Sequence, residues 1–401
     1  MKILVINGDC VQTNSSANLC HLAYIRGMVA AGHDVYLLSA DGRDYELDKN
    51  MSIPSEVKCF TIYGTSLYQK ISLRKIRNND EKKLVTQPEN AANQGTSGLK
   101  RRLKDGILRM YGPHGIYKTF VRKAKKFRSE ENFDFVISLS TPPSSHLLAY
   151  YLIHSKHVST KHWIQIWEDP WYGDAYGFNG SKKIKQEEQR LLSFAERICY
   201  VSPLTLRRQQ KQYPESASKM YWQPLPSYYT SNTPLKPMAG RKYGYFGDYA
   251  PAARNLKPFY TSALKCGLEL HICGTPHTLF QPTEHIKISP RMPLEELRPI
   301  EDDTNVLVFL SNLRGGQIPG KIYQYAATYK TVLFILDGTA EEQDVLRSFF
   351  GQFHRFVFCE NTVESITDAI GRIERGELGD VVNRPLDDFA PERIIQKILE
   401  G

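Results

Sequence analysis

Short apolar runs rich in Val, Ile and Leu alternate with helical stretches along nearly the whole chain, and this alternation constrains the fold more than any other feature. In the first half it predicts strands over 2–7, 34–40, 57–63, 133–140, 162–169 and 197–202, with helices over 16–31, 144–155 and 182–195. Runs that are apolar on both faces and joined by helices specify a mostly parallel sheet covered on both sides. At 230–240 the text changes to a Pro- and Ser-containing stretch, and the alternation then restarts. Strands are expected over 242–247, 268–274, 304–311, 331–337 and 355–360, with helices over 255–266, 320–329, 341–350, 363–376 and 391–400. A chain of 401 residues exceeds what one core usually serves, and two domains of roughly 150 to 200 residues are expected. The fold class is α/β, with two facing doubly wound, Rossmann-like domains. The first spans 1–229, 230–240 is the linker, and the second spans 241–385. Residues 386–401 close the chain with an amphipathic helix expected to pack back on the first domain.

Composition narrows the class. The seven cysteines form no CxxC pair and read as reduced thiols of a cytoplasmic protein. The opening run, Lys2 to Ile6, is too short for a signal-peptide core. No apolar run approaches bilayer length. The net charge of +9 is unevenly placed: residues 70–128 hold 17 Lys/Arg against 4 Asp/Glu, and the rest of the chain 35 against 39. The basic excess therefore belongs to one surface. Residues 90–98 read as a polar loop.

The stretch Arg314-Gly315-Gly316-Gln317-Ile318-Pro319-Gly320-Lys321 joins a predicted strand to a predicted helix. Paired glycines let backbone approach a ligand, Pro319 suits a helix start, and Lys321 follows inside the first turn. Backbone N–H groups, a helix dipole and a lysine would then converge on a phosphate. A tight turn with a solvated lysine accounts for the same residues equally well.

Several blocks together resemble the GT-B glycosyltransferases, and within them the family 4-like group that builds bacterial surface polysaccharides. In the second half these are Tyr245-Phe246-Gly247-Asp248-Tyr249 with Arg254-Asn255, His271-Ile272-Cys273-Gly274, and Ile318 to Ala326 followed by Lys330-Thr331-Val332-Leu333. In the first half they are Phe133 to Ser138, Thr141-Pro142-Pro143 and Glu168-Asp169-Pro170-Trp171. The resemblance implies a nucleoside-diphosphate sugar donor bound by the second domain at Gly247, Arg254, Gly316, Lys321 and Gln324. Arg254 and Lys321 would hold the diphosphate, so that no cofactor or metal is required. Gln324 stands where many relatives carry a glutamate for the ribose, and the other expected glutamate falls near Gly316. A neutral amide still hydrogen-bonds a ribose. The departure keeps a second reading open, a catalytically silent nucleotide- or saccharide-binding subunit.

On the acceptor side, Glu168 and Asp169 end a predicted strand. Neighbours in a strand point to opposite faces, so they are not expected to act as a pair. Either could orient or deprotonate an acceptor hydroxyl, with a helix cap or salt bridge as the alternative. Gly8 and Asn14, in the turn after the first strand, lie where relatives bind acceptor, although Asx-turn and N-cap chemistry also explains such residues. His146 is a base candidate or a structural histidine. His271 and Cys273 share a strand face and read as core. Leu99, Leu103, Ile107 and Met110 recur at helical spacing beside Lys100, Arg101, Arg102 and Lys104. Within 99–128 this predicts either a basic face on an anionic membrane or a solvated helix face. The segment carries no nucleic-acid motif, and no nucleic-acid partner is expected. The function implied is a metal-independent hexosyltransferase at the inner face of the plasma membrane, acting on a lipid-linked saccharide of cell-surface polysaccharide biosynthesis.

Overall fold

The computed structural model describes residues 1–71, 112–173, 181–228 and 240–401. Most of the basic segment 70–128, with the loop 90–98 and the run from Leu99 to Met110, lies outside the described residues, as does the expected linker apart from Gly240. The chain forms two compact units, one of Met1–Val201, Thr205–Gln223 and Pro391–Gly401, the other of Ser202–Leu204 and Pro224–Ala390.

The first unit is built on β1 (Lys2–Asn7), β2 (Asp34–Ala40), β3 (Lys58–Ile62), β4 (Asn132–Ser140), β5 (Ser159–Trp167), β6 (Arg197–Tyr200) and β7 (Met220–Trp222). All pair parallel, in the order β3-β2-β1-β4-β5-β6-β7. Among the described residues the helices between them include α1 (Ser16–Ala30), α2 (Lys118–Ala124), α3 (Ser144–His154), α4 (Lys182–Phe194) and α5 (Pro203–Gln212). Leu4 and Ile6 enter a core with Leu148, Leu152, Trp163 and Trp167. Ile3 and Val5, which alternate with them, are just as buried. Burial on both faces is what the unbroken apolar runs require. The strand order reverses between β1 and β4.

The second unit is a parallel sheet ordered β10-β9-β8-β11-β12-β13. Its strands are β8 (Lys242–Phe246), β9 (Glu269–Cys273), β10 (Ile286–Ser289), β11 (Val306–Leu310), β12 (Thr331–Leu336) and β13 (Phe356–Glu360). Its helices are α6 (Lys257–Cys266), α7 (Leu294–Asp302), α8 (Lys321–Ala326), α9 (Ala340–Gly351) and α10 (Val363–Arg375). Here the order reverses between β8 and β11. A capping box between Thr339 and Glu342 starts α9, and left-handed Gly376 ends α10, the usual asymmetry of polar start and glycine stop.

The last helix, α11 (Pro391–Glu400), belongs to the first unit and buries Ile394, Ile395, Ile398 and Leu399. It lies against α1, where a Cβ on Gly27 would come within 2.4 Å of the Pro391 carbonyl oxygen. Arg197 ties down its end by donating to the carbonyls of Leu399 and Ile398, each at 2.8 Å.

Several elements depart from the sequence reading, among them α5, which no expected helix covers. The strands β7 and β10 are only three and four residues long, too short to show a period. Helix α7 carries an internal Pro299, which reads as a breaker. Helix α8 ends at Ala326, short of the expected 329, and the buried Arg355 satisfies carbonyls of the turn beyond it. Its Nη2 donates to Thr328 O and Lys330 O at 2.6 Å each.

Candidate functional sites

Open α/β sheets hold ligands outside the carboxyl ends of the strands where the order reverses. In the second unit that point lies between β8 and β11, and four of the five donor-site residues predicted from the sequence flank it. Gly247 follows β8, and its carbonyl would stand 1.9 Å from a Cβ on Gly274, so that only glycine fits there. Arg254 is held by its Nε donating to Asn312 Oδ1 at 2.7 Å and its Nη1 to Asp248 O at 2.9 Å. Asn312 in turn donates to Gln317 O at 2.9 Å. The loop between them turns through Gly315 and Gly316, at φ 106° and 72°, a region that suits glycine. The Ser202 hydroxyl donates to Gly316 O at 2.5 Å. Arg254 is thus oriented by the same loop that carries the glycine pair.

Lys321 opens α8, a helix of six residues, whose dipole is smaller than the sequence suggested. Its ammonium is paired with Glu301 on α7, 3.2 Å away, and lies over the Phe246 ring at 6.0 Å. Glu301 also receives the Lys330 ammonium on its backbone carbonyl. The sequence reading missed Glu301, because α7 itself was not legible. Gln324 is buried, and its amide oxygen, the acceptor expected to meet a ribose, accepts the Tyr228 N–H at 2.8 Å. His271 bonds Ser289 Oγ at 2.8 Å, and Cys273 is core.

In the first unit the reversal point brings together the ends of β1, β4 and β5. Gly8 packs on the start of α3, its N–H donating to Ser145 Oγ at 2.8 Å, and a Cβ there would strike Ser144 Oγ at 2.6 Å. The close approach it permits is thus to the protein itself. Asn14 donates to Asp48 at 2.8 Å. His146 is fully buried against the Trp167 ring at 4.3 Å, with Nδ1 2.8 Å from Ser138 Oγ. Burial holds its imidazole well below the ordinary range, with repulsion from His114 and His21 adding to the shift. It is a neutral core residue.

β5 ends at Trp167, so Glu168 and Asp169 lie in the bend beyond the strand rather than in it, the first buried and the second exposed. Burial, with the Asp169 charge beside it, raises the Glu168 carboxyl well above its usual value. Its Oε1 lies 3.4 Å from His21 Nε2, and burial pushes that imidazole down to about 4. A protonated acid therefore faces a neutral base. Asn7, Ser144 and His146 each keep at least one buried side-chain atom with no hydrogen-bond partner among the described residues. Burying unsatisfied polar groups costs roughly 1–3 kcal/mol each. His21 and Ser144 were missed in the sequence reading. The one signal was an imidazole inside the apolar run 20–25.

No protein-family model matches this chain, and no curated protein matches it by sequence. Solved structures do. A glycosyltransferase from Rickettsia africae ESF-5 is similar over 100% of this chain and 97% of its own, with a TM-score of 0.57 at 12% identity. The chain has the fold of a GT-B glycosyltransferase. SsfS6, a glycosyltransferase of Streptomyces sp. SF2575 solved with thymidine diphosphate, covers 100% of both chains at 15% identity, with a TM-score of 0.47. At such identities the likeness to GT-B structures is one of fold. Among the described residues no helix is long and apolar enough to cross a membrane.

Proposed function

We propose that this protein transfers a hexosyl group from a nucleoside-diphosphate sugar to a hydroxyl of a lipid-linked saccharide, at the inner face of the plasma membrane, in cell-surface polysaccharide biosynthesis. The observation that carries the reading is the cluster at the β8/β11 reversal point, where Arg254, the Gly315-Gly316 turn and the start of α8 meet. A departing diphosphate needs positive charge arranged in advance. Arg254, fixed by Asn312 and Asp248, offers a fork, and Lys321 a compact charge. In this reading the two supply the charge that a metal would otherwise bring. Lys321 exchanges Glu301 for a phosphate oxygen when donor binds. Asp169, exposed at the end of β5, takes the acceptor proton. Glu168, held protonated, donates a hydrogen bond.

Calorimetric titration with UDP, GDP and dTDP tests this. One nucleotide should bind, and Lys321→Ala should weaken it by roughly ten- to a hundredfold, the value of a charge-assisted hydrogen bond. Binding untouched by Lys321→Ala would remove the site assignment. The Lys321–Glu301 pair and the occupied Gln324 oxygen favour a second reading, a subunit that binds nucleotide or saccharide without turnover. Release of free sugar from a donor would eliminate it.

A further inference from the structure

Beyond β5 the chain bends through residues 168–172, and this turn carries the exposed Asp169. One end is tied where the Glu168 N–H donates to Ser140 O at 3.4 Å. The other end is tied to a single side chain. Glu188, fully buried on α4, accepts the Trp171 N–H on Oε1 at 3.0 Å and the Tyr172 N–H on Oε2 at 2.7 Å. Two successive main-chain donors thus meet the two oxygens of one carboxyl group. The Tyr213 hydroxyl donates to Oε2 as well, at 2.8 Å.

All three partners are donors, and only an ionised carboxyl accepts on both oxygens without presenting a hydrogen of its own. Among the described residues Glu188 has no ammonium or guanidinium partner. Its neighbour Glu187 takes the cation instead, with Arg190 Nη2 at 2.6 Å and Nε at 2.8 Å, and His114 Nε2 at 2.9 Å. The His114 ring lies 4.9 Å from the Trp171 ring, which is itself buried. A buried carboxyl without a cation is rare and costly, and two of its three bonds go to the backbone of this one turn. Pro170 separates Asp169 from Trp171 and fixes φ there, so holding the Trp171 N–H also holds the Asp169 backbone.

We propose that Glu188 is the positioning residue of the turn that carries Asp169, clamping it through the Trp171 and Tyr172 N–H groups. The clamp leaves Asp169 facing water with its backbone already placed, before any substrate arrives. Glu188 touches no reacting atom. Its catalytic consequence rests on the role proposed above for Asp169, whereas the clamp itself is read without substrate.

Two measurements on the full chain test this. Burial raises the Glu188 carboxyl to about 7, so both are made at pH 8, where it is ionised. Hydrogen exchange should show the Trp171 and Tyr172 amides protected in the wild type. Glu188→Gln keeps the volume but turns an N–H donor toward one of the three partners, and should speed exchange at these two amides about tenfold or more. Tyr213→Phe removes only the phenol and should leave both amides protected. The second measurement is release of free sugar from UDP-, GDP- and dTDP-hexoses, which Glu188→Gln should slow about ten- to a hundredfold, as misplacement of a reacting group does. Nucleotide affinity, set in the second unit, should stay within about twofold of wild type. Unprotected amides in the wild type would overturn the clamp even if Glu188→Gln fails to fold. Protection that Glu188→Gln leaves intact, or that Tyr213→Phe abolishes equally, would overturn it too. Fast exchange with unchanged sugar release would remove the positioning role. Wild type that releases no sugar would instead remove the sugar-transfer reading, and this role with it, while exchange still reports on the clamp.

Discussion

Glu168 and His21 hold one proton between them in a place where neither charge is solvated, and pH should expose this. The Glu168 carboxyl lies well above 4.5 and His21 is lowered from 6.5 to about 4. A raised carboxyl stabilises the fold below its unfolded value and loses that contribution as pH rises through the folded one. A lowered histidine contributes above 6.5 and loses it as pH falls. Glu188, raised to about 7 by burial, adds to the first slope, and His146 adds to the second. Between 4.5 and 6.5 these slopes oppose one another, and above 6.5 the downward slope of the buried carboxyls is no longer opposed by the histidines. Urea unfolding should therefore show level stability in the first window and a decline above 6.5, which Glu168→Gln should lessen. An equally steep decline in that variant would assign the effect to another group. At this scale the sequence was partly legible. It pointed to the end of β5 and separated Glu168 from Asp169, but it could not say which carboxylate lies in the core. It also could not see His21, whose partner is 147 residues away in the chain.

At the scale of elements, propensity and pattern located the long pieces and failed on the short ones. Helices α10 and α11 announce themselves by an apolar stripe, whereas β10 has four residues and α7 contains a proline. The turn beyond α8 is held by a tertiary contact, in which a guanidinium on the strand side satisfies the Thr328 and Lys330 carbonyls. Arg355 is fully buried, and burial lowers it to about 10. Replacing it with methionine keeps volume but strips partners from the Thr328 and Lys330 carbonyls. The expected cost is about 2–4 kcal/mol in chemical denaturation, since orphaned buried acceptors carry their desolvation penalty. A loss below about 0.5 kcal/mol would mean that water replaces the guanidinium without strain. The phosphate-loop reading gained Arg254 as a fixed neighbour, and it also gained Glu301, a competitor for Lys321 that no local pattern could reveal.

For the whole molecule, two parallel sheets with separate cores make stability a property of each unit. Helix α11 completes the first although it follows the second in sequence. Removing residues 391–401 should lower the unfolding midpoint of the first unit and leave that of the second in place, as read by calorimetry with domain-specific proteolysis. A shift in both would show that the two units unfold together. The α/β class, the parallel sheets and the doubling were readable from the chain because they rest on local periodicity, and apolar runs of strand length joined by helices have few other ways to bury both faces. The identity of the loops that could meet a phosphate followed from the same order. Which side chains occupy those loops' partners was decided only in three dimensions. Glu301 on Lys321, Tyr228 on Gln324, Ser145 on Gly8 and the docking of α11 on Gly27 all join residues distant in sequence. Such pairings depend on packing geometry, and a one-dimensional pattern carries no record of it.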